Sequence, residues 1–215
     1  MESILQALQV AIEVWDPYTS QHQKRVNQLA LAIAEEMNLS SSQKDIIRFA
    51  ALLHDIGKIN LPMELLSKPG KLENFEINLI HRHSEIGFEI LKRIDFPSEV
   101  AHIVVQHHEM MDGSGYPRGL RGTEILLGAR IVMVANTVEA ISSNRPYRPV
   151  IGMKEAQDEI KNNSGSKYDP EVVDACMRVL QKKKFTMDNL KIHNPDSCSQ
   201  FVFSDQYETD APETD

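Results

Sequence analysis

Apolar residues in this chain recur every three or four positions and nowhere alternate. Ile4, Leu5, Leu8 and Ile12 form one stripe, Val26, Leu29, Ala30, Ile33 and Met37 a second, and Ile46, Ile47, Ala50 and Leu53, running on into His54, a third. At about 3.6 residues per turn each set lies along one side of a helix, and each must be buried against another helix. The serines at 40–42 stand ahead of the third stripe as a helix cap. The same spacing predicts further helices over 73–93, 98–108, 125–143, 154–161 and 170–182, and no stretch shows the period-two pattern of a strand. The chain is therefore expected to be all-α, a bundle of about seven or more helices. Its 215 residues, 41% of them apolar, suffice for one main domain with its own core.

Charge and composition narrow the function. Thirty-one acidic residues against 23 basic ones give a net charge of −8, which argues against a surface for bulk nucleic acid or an anionic membrane. An anionic ligand would need a local basic pocket. No apolar run approaches the ~18 residues of a membrane span. The opening segment, MESILQALQVAIEVW, lacks a basic start and carries Glu13, unlike a secretory signal, so a cytoplasmic protein is expected. Cys176 and Cys198 form no CxxC pair and are expected to be reduced. Five acids (Asp205, Glu208, Asp210, Glu213 and Asp215) and no basic residue fill positions 204–215. The division expected is a folded domain over 1–183 and an extension over 184–215 with an acidic, flexible tail.

The chemistry gathers where helices are predicted to end. His54 and Asp55 bring an imidazole and a carboxylate out of an apolar helix together, the pairing of a metal site. His107 and His108 are adjacent; on a helix they would diverge by about 100°, so the pair is expected to serve two nearby ions and not to chelate one. The glycine-rich segment DGSGYPRGLRG at 112–122, broken by Tyr116, Pro117 and Leu120, has the character of a loop that serves a site. His81, His102 and His193 have no partner at ligand spacing and are expected to be ordinary surface or core histidines. By the same plain reading Lys58 is a solvated helix end, and Arg145 and Arg148 are an exposed loop pair.

Several strings, in order, resemble one family. HDIGK at 54–58, HRHSEIG at 81–87, HHEMMDGSGYPRGL at 107–120 and SSNRPYRP at 142–149 resemble the HD-GYP family, bacterial phosphodiesterases of cyclic dinucleotides within the HD metal-hydrolase superfamily. DPYTSQHQKRV at 16–26 and KYDPEVVDA at 167–175 also match its pattern. The resemblance implies an all-helical HD-domain bundle with two divalent metal ions, or three, in its core, iron or manganese. Carried over by motif, the metal ligands would be His22, His54, Asp55, His83, His107 and His108, with Asn136 at a further ligand position. Asp55 would bridge two ions, Lys58 would lie beside the scissile phosphate, and Arg145 and Arg148 would take the dinucleotide's phosphates. Tyr147 would pack on a base, and Tyr116 would line the site on a loop that in this family meets partners such as diguanylate cyclase domains. Glu109 is read as an acid that orients a ligand imidazole.

Three departures accompany these matches. Where the family has Val-Ala-Asp, the chain has Val134, Ala135 and Asn136, which removes a negative charge from the ligand set. Where the family has Phe-Asp-Ala, it has Val138, Glu139 and Ala140, a carboxylate on a longer stem. Tyr18 stands where some members carry a glutamate for a third ion, which favours two metals. Two functions are left open. One is a metal-dependent phosphodiesterase opening cyclic di-GMP to pGpG and then GMP, with Asp55 and Lys58 as catalytic groups. The other is a degenerate HD-GYP module that binds a cyclic dinucleotide or a partner protein without turnover. Hydrolysis of another cyclic dinucleotide, such as cyclic GMP-AMP, is a variant of the first.

Overall fold

The computed structural model describes residues 1–68, 70–143 and 151–182, with backbone alone at 17 and 18. They form helices α1 (Glu2–Trp15), α2 (Pro17–Glu36), α3 (Ser41–Leu53), α4 (Met63–Leu66), α5 (Asn74–His81), α6 (His83–Leu91), α7 (Ser98–Gln106), α8 (Leu127–Ser142), α9 (Met153–Asn162) and α10 (Pro170–Gln181), and no strand among the described residues. The all-α expectation holds. Arg145, Tyr147, Arg148, His193, Cys198 and the acidic tail lie outside the described residues.

The helical stripes make the core. α2 lies against α3 and α8, and α7 against α3 and α6. Leu29, Ile33, Ile47, Leu53, Val104, Ile131 and Val134 close the space between them. The expected cap at the start of α3 is present: the Ser40 hydroxyl accepts from the Gln43 N–H, and the Gln43 side chain accepts from the Ser40 N–H at 3.0 Å. At the start of α10 the Asp169 carboxylate accepts from the Glu171 N–H and pairs with Arg130 at 2.5 Å, tying α10 to α8.

One predicted helix is two. The 73–93 segment breaks at Arg82, where the Nδ1–H of His83 donates to the Ile80 carbonyl and the Ser84 hydroxyl donates to the His81 carbonyl. These side chains take up carbonyls near the junction, and the Arg82 N–H pairs only three residues back, with Leu79. The break starts α6 at His83, whose side chain is buried against the core.

Candidate metal centre

Five histidines and one aspartate converge in the middle of the bundle. α2 supplies His22, the residues after α3 supply His54 and Asp55, α6 begins at His83, and the chain just beyond α7 supplies His107 and His108. Two groups result, His22 with His54 and Asp55, and His83 with His107 and His108; within each, one potential ligand atom per residue lies within 4.8 Å of the others. Asp55 touches both. Its Oδ2 is 3.6 Å from His54 Nε2 and 3.9 Å from His22 Nε2, whereas its Oδ1 is 3.4 Å from His83 Nε2. Lys58 donates to Oδ2 at 2.7 Å from the outer side.

Four of the imidazoles are aimed by their far nitrogen. Nδ1 of His54, His83 and His107 donates to the carbonyl three residues back, at 2.8, 2.7 and 2.6 Å. His22 Nδ1 is bonded to the Glu139 carboxylate. A carbonyl can only accept, so Nδ1 of those three rings carries the proton and Nε2 presents a lone pair to the interior. The consequence is a test of fit for a cation. Nε2 of His83 faces Nε2 of His107 at 3.3 Å, lone pair toward lone pair, and the wholly buried Nε2 of His54 has no hydrogen-bond partner. Such an arrangement of imidazoles with one carboxylate suits a divalent cation and is otherwise repulsive.

The electrostatics agree with that fit. Burial drives the His54 pKa down to about 4, against the pull of Asp55, and holds His107 and His108 well below the usual imidazole range, where neighbouring histidines add to the effect. Burial opposes ionisation of Asp55, but charge attraction led by the Lys58 ammonium outweighs burial and keeps it a carboxylate. Neutral imidazoles beside an ionised carboxylate are the protonation states in which these groups ligate metals.

Some expectations change on this geometry. His107 and His108 do not diverge, because α7 ends at Gln106; their rings stand 4.0 Å apart and both join His83 in one group. Glu109 does not reach an imidazole. Buried directly after the histidine pair, it accepts from the backbone N–H of Arg118 at 2.7 Å and of Leu120 at 2.9 Å, fastening the segment that follows the Tyr116-Pro117 turn, whose peptide bond is cis. The residue that holds a ligand imidazole is Glu139, whose carboxylate meets His22 on one oxygen and the Arg25 guanidinium at 2.6 Å on the other. Burial works against charge on Glu139, but His22 and Arg25 bring its pKa down to about 2. Asn136 stands on α8 one turn before Glu139 and is half-buried.

Two residues outside the expected set, His81 and Gly115, also matter. Tyr116 is held between His81, stacked on it at 3.7 Å and 10°, and His108, stacked at 4.7 Å and 22°. His81 has no partner at ligand spacing in sequence, and no local pattern reveals that a loop 35 positions later covers it. Gly115 lies so close over His108, Glu109 and Met110 that a Cβ there would fall on their backbone. His102 rests against Phe88, as an ordinary surface histidine would.

An all-helical bundle with two imidazole groups joined through one aspartate has the donor set of a protein that binds divalent metal. The chain belongs to the HD domain family, which matches residues 6–172. It is 44% identical over 82% of its length to a cyclic di-GMP phosphodiesterase of Thermotoga maritima, and 43% identical over 81% to the cyclic di-GMP phosphodiesterase response regulator RpfG of Xanthomonas campestris pv. campestris. It spans about half of those relatives, 48% and 47% of their lengths. Among solved structures it resembles a cyclic GMP-AMP specific phosphodiesterase of V. cholerae, with a TM-score of 0.55 and 31% identity over 83% of this chain and 40% of that one. No described helix is long and apolar enough to cross a membrane.

Proposed function

We propose that the chain is a metal-dependent phosphodiesterase that opens cyclic di-GMP to pGpG, with GMP as the product of a second cut. The observation that carries this reading is the Asp55 carboxylate, one oxygen turned to His22 and His54, the other to His83, and Lys58 at its outer edge. The substrate class is supported by the names of relatives that match most of the chain.

Two divalent ions, iron or manganese by the nitrogen and oxygen donor set, would be held by His22, His54 and Asp55 and by His83, His107 and His108. Bound there, they supply Lewis-acid chemistry, lowering the pKa of water and neutralising charge on phosphoryl oxygens. The remaining work falls to the protein. Asp55 joins the two halves and fixes their separation. Lys58, a quarter exposed and already beside Asp55, offers an ammonium to a phosphate entering from the open side. Arg145 and Arg148 are assigned to the second phosphate, Tyr147 to a base, and Tyr116 to the wall of the site. The loop carrying Tyr116 is also the surface assigned to a partner such as a diguanylate cyclase domain.

The test is chromatographic detection of pGpG and GMP from cyclic di-GMP after anaerobic loading with iron(II) or manganese(II), beside a His54→Ala, Asp55→Ala double variant. Product that vanishes in the variant is expected; no product from protein that binds metal and ligand overturns the enzyme. A second reading rests on Asn136. An amide where the family places a ligand carboxylate leaves the ligand set one negative charge short, and a module that binds without turnover is the outcome if that charge is indispensable. Asn136→Asp separates the two: a large gain in rate supports the binding module, and an unchanged rate supports the enzyme. Cyclic GMP-AMP offered in competition decides between the two cyclic dinucleotides.

A further inference from the structure

Of the five histidines at the centre, His108 alone is not aimed by a hydrogen bond. Nδ1 of His54, His83 and His107 is tied to a backbone carbonyl and that of His22 to Glu139. No hydrogen bond holds either ring nitrogen of His108 among the described residues. Its orientation comes from rings. It stacks on Tyr116 at 4.7 Å with planes 22° apart, touches His107 at 4.0 Å, and meets the edge of His83 at 5.2 Å. The other face of Tyr116 is covered by His81 at 3.7 Å and 10°, so His81, Tyr116 and His108 form one continuous stack from the half-exposed end of α5 to the centre.

The rest of the loop serves this stack. Tyr116 N–H donates to the His108 carbonyl at 3.1 Å, Gly115 leaves no room for a side chain over the same backbone, and Glu109 fastens the turn at Arg118 and Leu120. With both ring faces covered, Tyr116 is not available to stack on a nucleobase.

We propose that Tyr116 and His81 are positioning residues for the metal ligand His108, and that the glycine-tyrosine-proline loop is thereby part of the His83, His107 and His108 half of the centre. This rests on the metal-centre reading above. In place of a hydrogen-bonded partner, His108 has a stack whose outermost ring is contributed by another segment of the chain. A ring so held can be released by moving the loop, so occupancy of that half is coupled to whether the loop is seated. An aromatic pair stabilises by about 0.5–1.5 kcal/mol beyond its buried area, which sets the size of the effect at about 2- to 13-fold in affinity.

The experiment is manganese(II) titration of the purified metal-free chain, followed by calorimetry and by loss of the free-ion electron paramagnetic resonance signal, with thermal melts of the metal-free proteins to check folding. In wild type two ions are expected. Tyr116→Leu and His81→Ala are expected to weaken one of them about 2- to 13-fold and leave the other unchanged. His81→Phe, which keeps a flat ring over Tyr116, is expected to restore it, and Tyr116→Phe to bind as wild type. Unchanged affinities in Tyr116→Leu and His81→Ala overturn the proposal. So does equal weakening of both ions, which marks a general structural defect, or a loss in Tyr116→Phe, which assigns the role to the phenol hydroxyl. A wild-type chain that binds no manganese at all overturns the metal-centre reading itself, a result distinct from these.

Discussion

The two halves of the centre are built by different means. His22 sits within the long helix α2, His54 and Asp55 directly follow α3, and the carboxylate behind His22 comes from Glu139, 117 positions away and wholly buried. Every far contact there is a hydrogen bond or ion pair between rigid elements. His83, His107 and His108 stand at the edges of shorter helices, and the outer wall of their half is a loop held by Glu109 and by ring stacking. Hydrogen bonds to backbone carbonyls, which aim His54 and also His83 and His107, and to a buried carboxylate, which aims His22, fix direction; a stack on a loop leaves the His108 ring dependent on whatever the loop does. The first half is therefore the fixed one and the second the adjustable one, and only Asp55 belongs to both.

That comparison is tested most severely at Asp55. Asp55→Ala removes the carboxylate that faces His54 on one oxygen and His83 on the other. Both metal affinities should fall at least ~100-fold, beyond what loss of an outer partner produces, and hydrolysis of cyclic di-GMP should cease. Two-site manganese titration reads the first and product chromatography the second. Loss of one ion only would mean that the halves are independent and Asp55 is not shared.

Glu139→Gln comes next. It leaves a side chain of the same size but removes the charge that meets Nδ1 of His22 and pairs with Arg25. An orienting partner of this kind is worth 10- to 100-fold in metal affinity, and the loss should fall on the His22 half alone. An equal loss at the His83 half would collapse the distinction between the two.

How much of this was legible beforehand follows from the range of each interaction. The helices were, because burial imposes a period that runs along the chain itself. The proposed ligands His22, His54, Asp55, His83, His107 and His108 are recognisable by motif, and the structure gathers them in two groups of three. The break at Arg82 was not, since it arises from two side chains bonding back to their own turn in a stretch whose apolar spacing continues. The orienting role read for Glu109 falls to Glu139 for a similar reason: Glu109 adjoins the histidine pair in sequence, while the partner of His22 lies on a helix packed against α2 from more than a hundred residues away. His81 carries no local signal because its ring partner, Tyr116, arrives on a separate loop.

The adjustable half has its own variant. Glu109→Gln keeps an acceptor for one of the two backbone N–H groups at Arg118 and Leu120 and loses the other. An unsatisfied buried group amounts to ~1–3 kcal/mol, so these two amides should exchange with solvent roughly 5- to 150-fold faster at that scale. The His83 half should weaken while the His22 half holds. Hydrogen exchange read by mass spectrometry gives the first and metal titration the second. Exchange unchanged at Arg118 and Leu120 would show that the loop is seated by something other than Glu109.

The smallest effect is expected at Arg25, where it separates charge from shape. Nε and Nη2 of Arg25 both reach Oε1 of Glu139 at 2.6 Å, leaving Oε2 for His22. Arg25→Lys keeps the positive charge that helps hold Glu139 ionised, but a single ammonium cannot reproduce the planar fork that sets the rotation of the carboxylate. If charge is what matters, manganese affinity at the His22 half should fall by no more than about threefold, within the range of a single exchanged hydrogen bond. A fall as large as that of Glu139→Gln would mean that carboxylate direction is the controlling quantity, and that the fixed half owes its fixity to Arg25 as much as to the buried acid. An effect at the His83 half, read in the same titration, would instead show that the strain passes through Asp55.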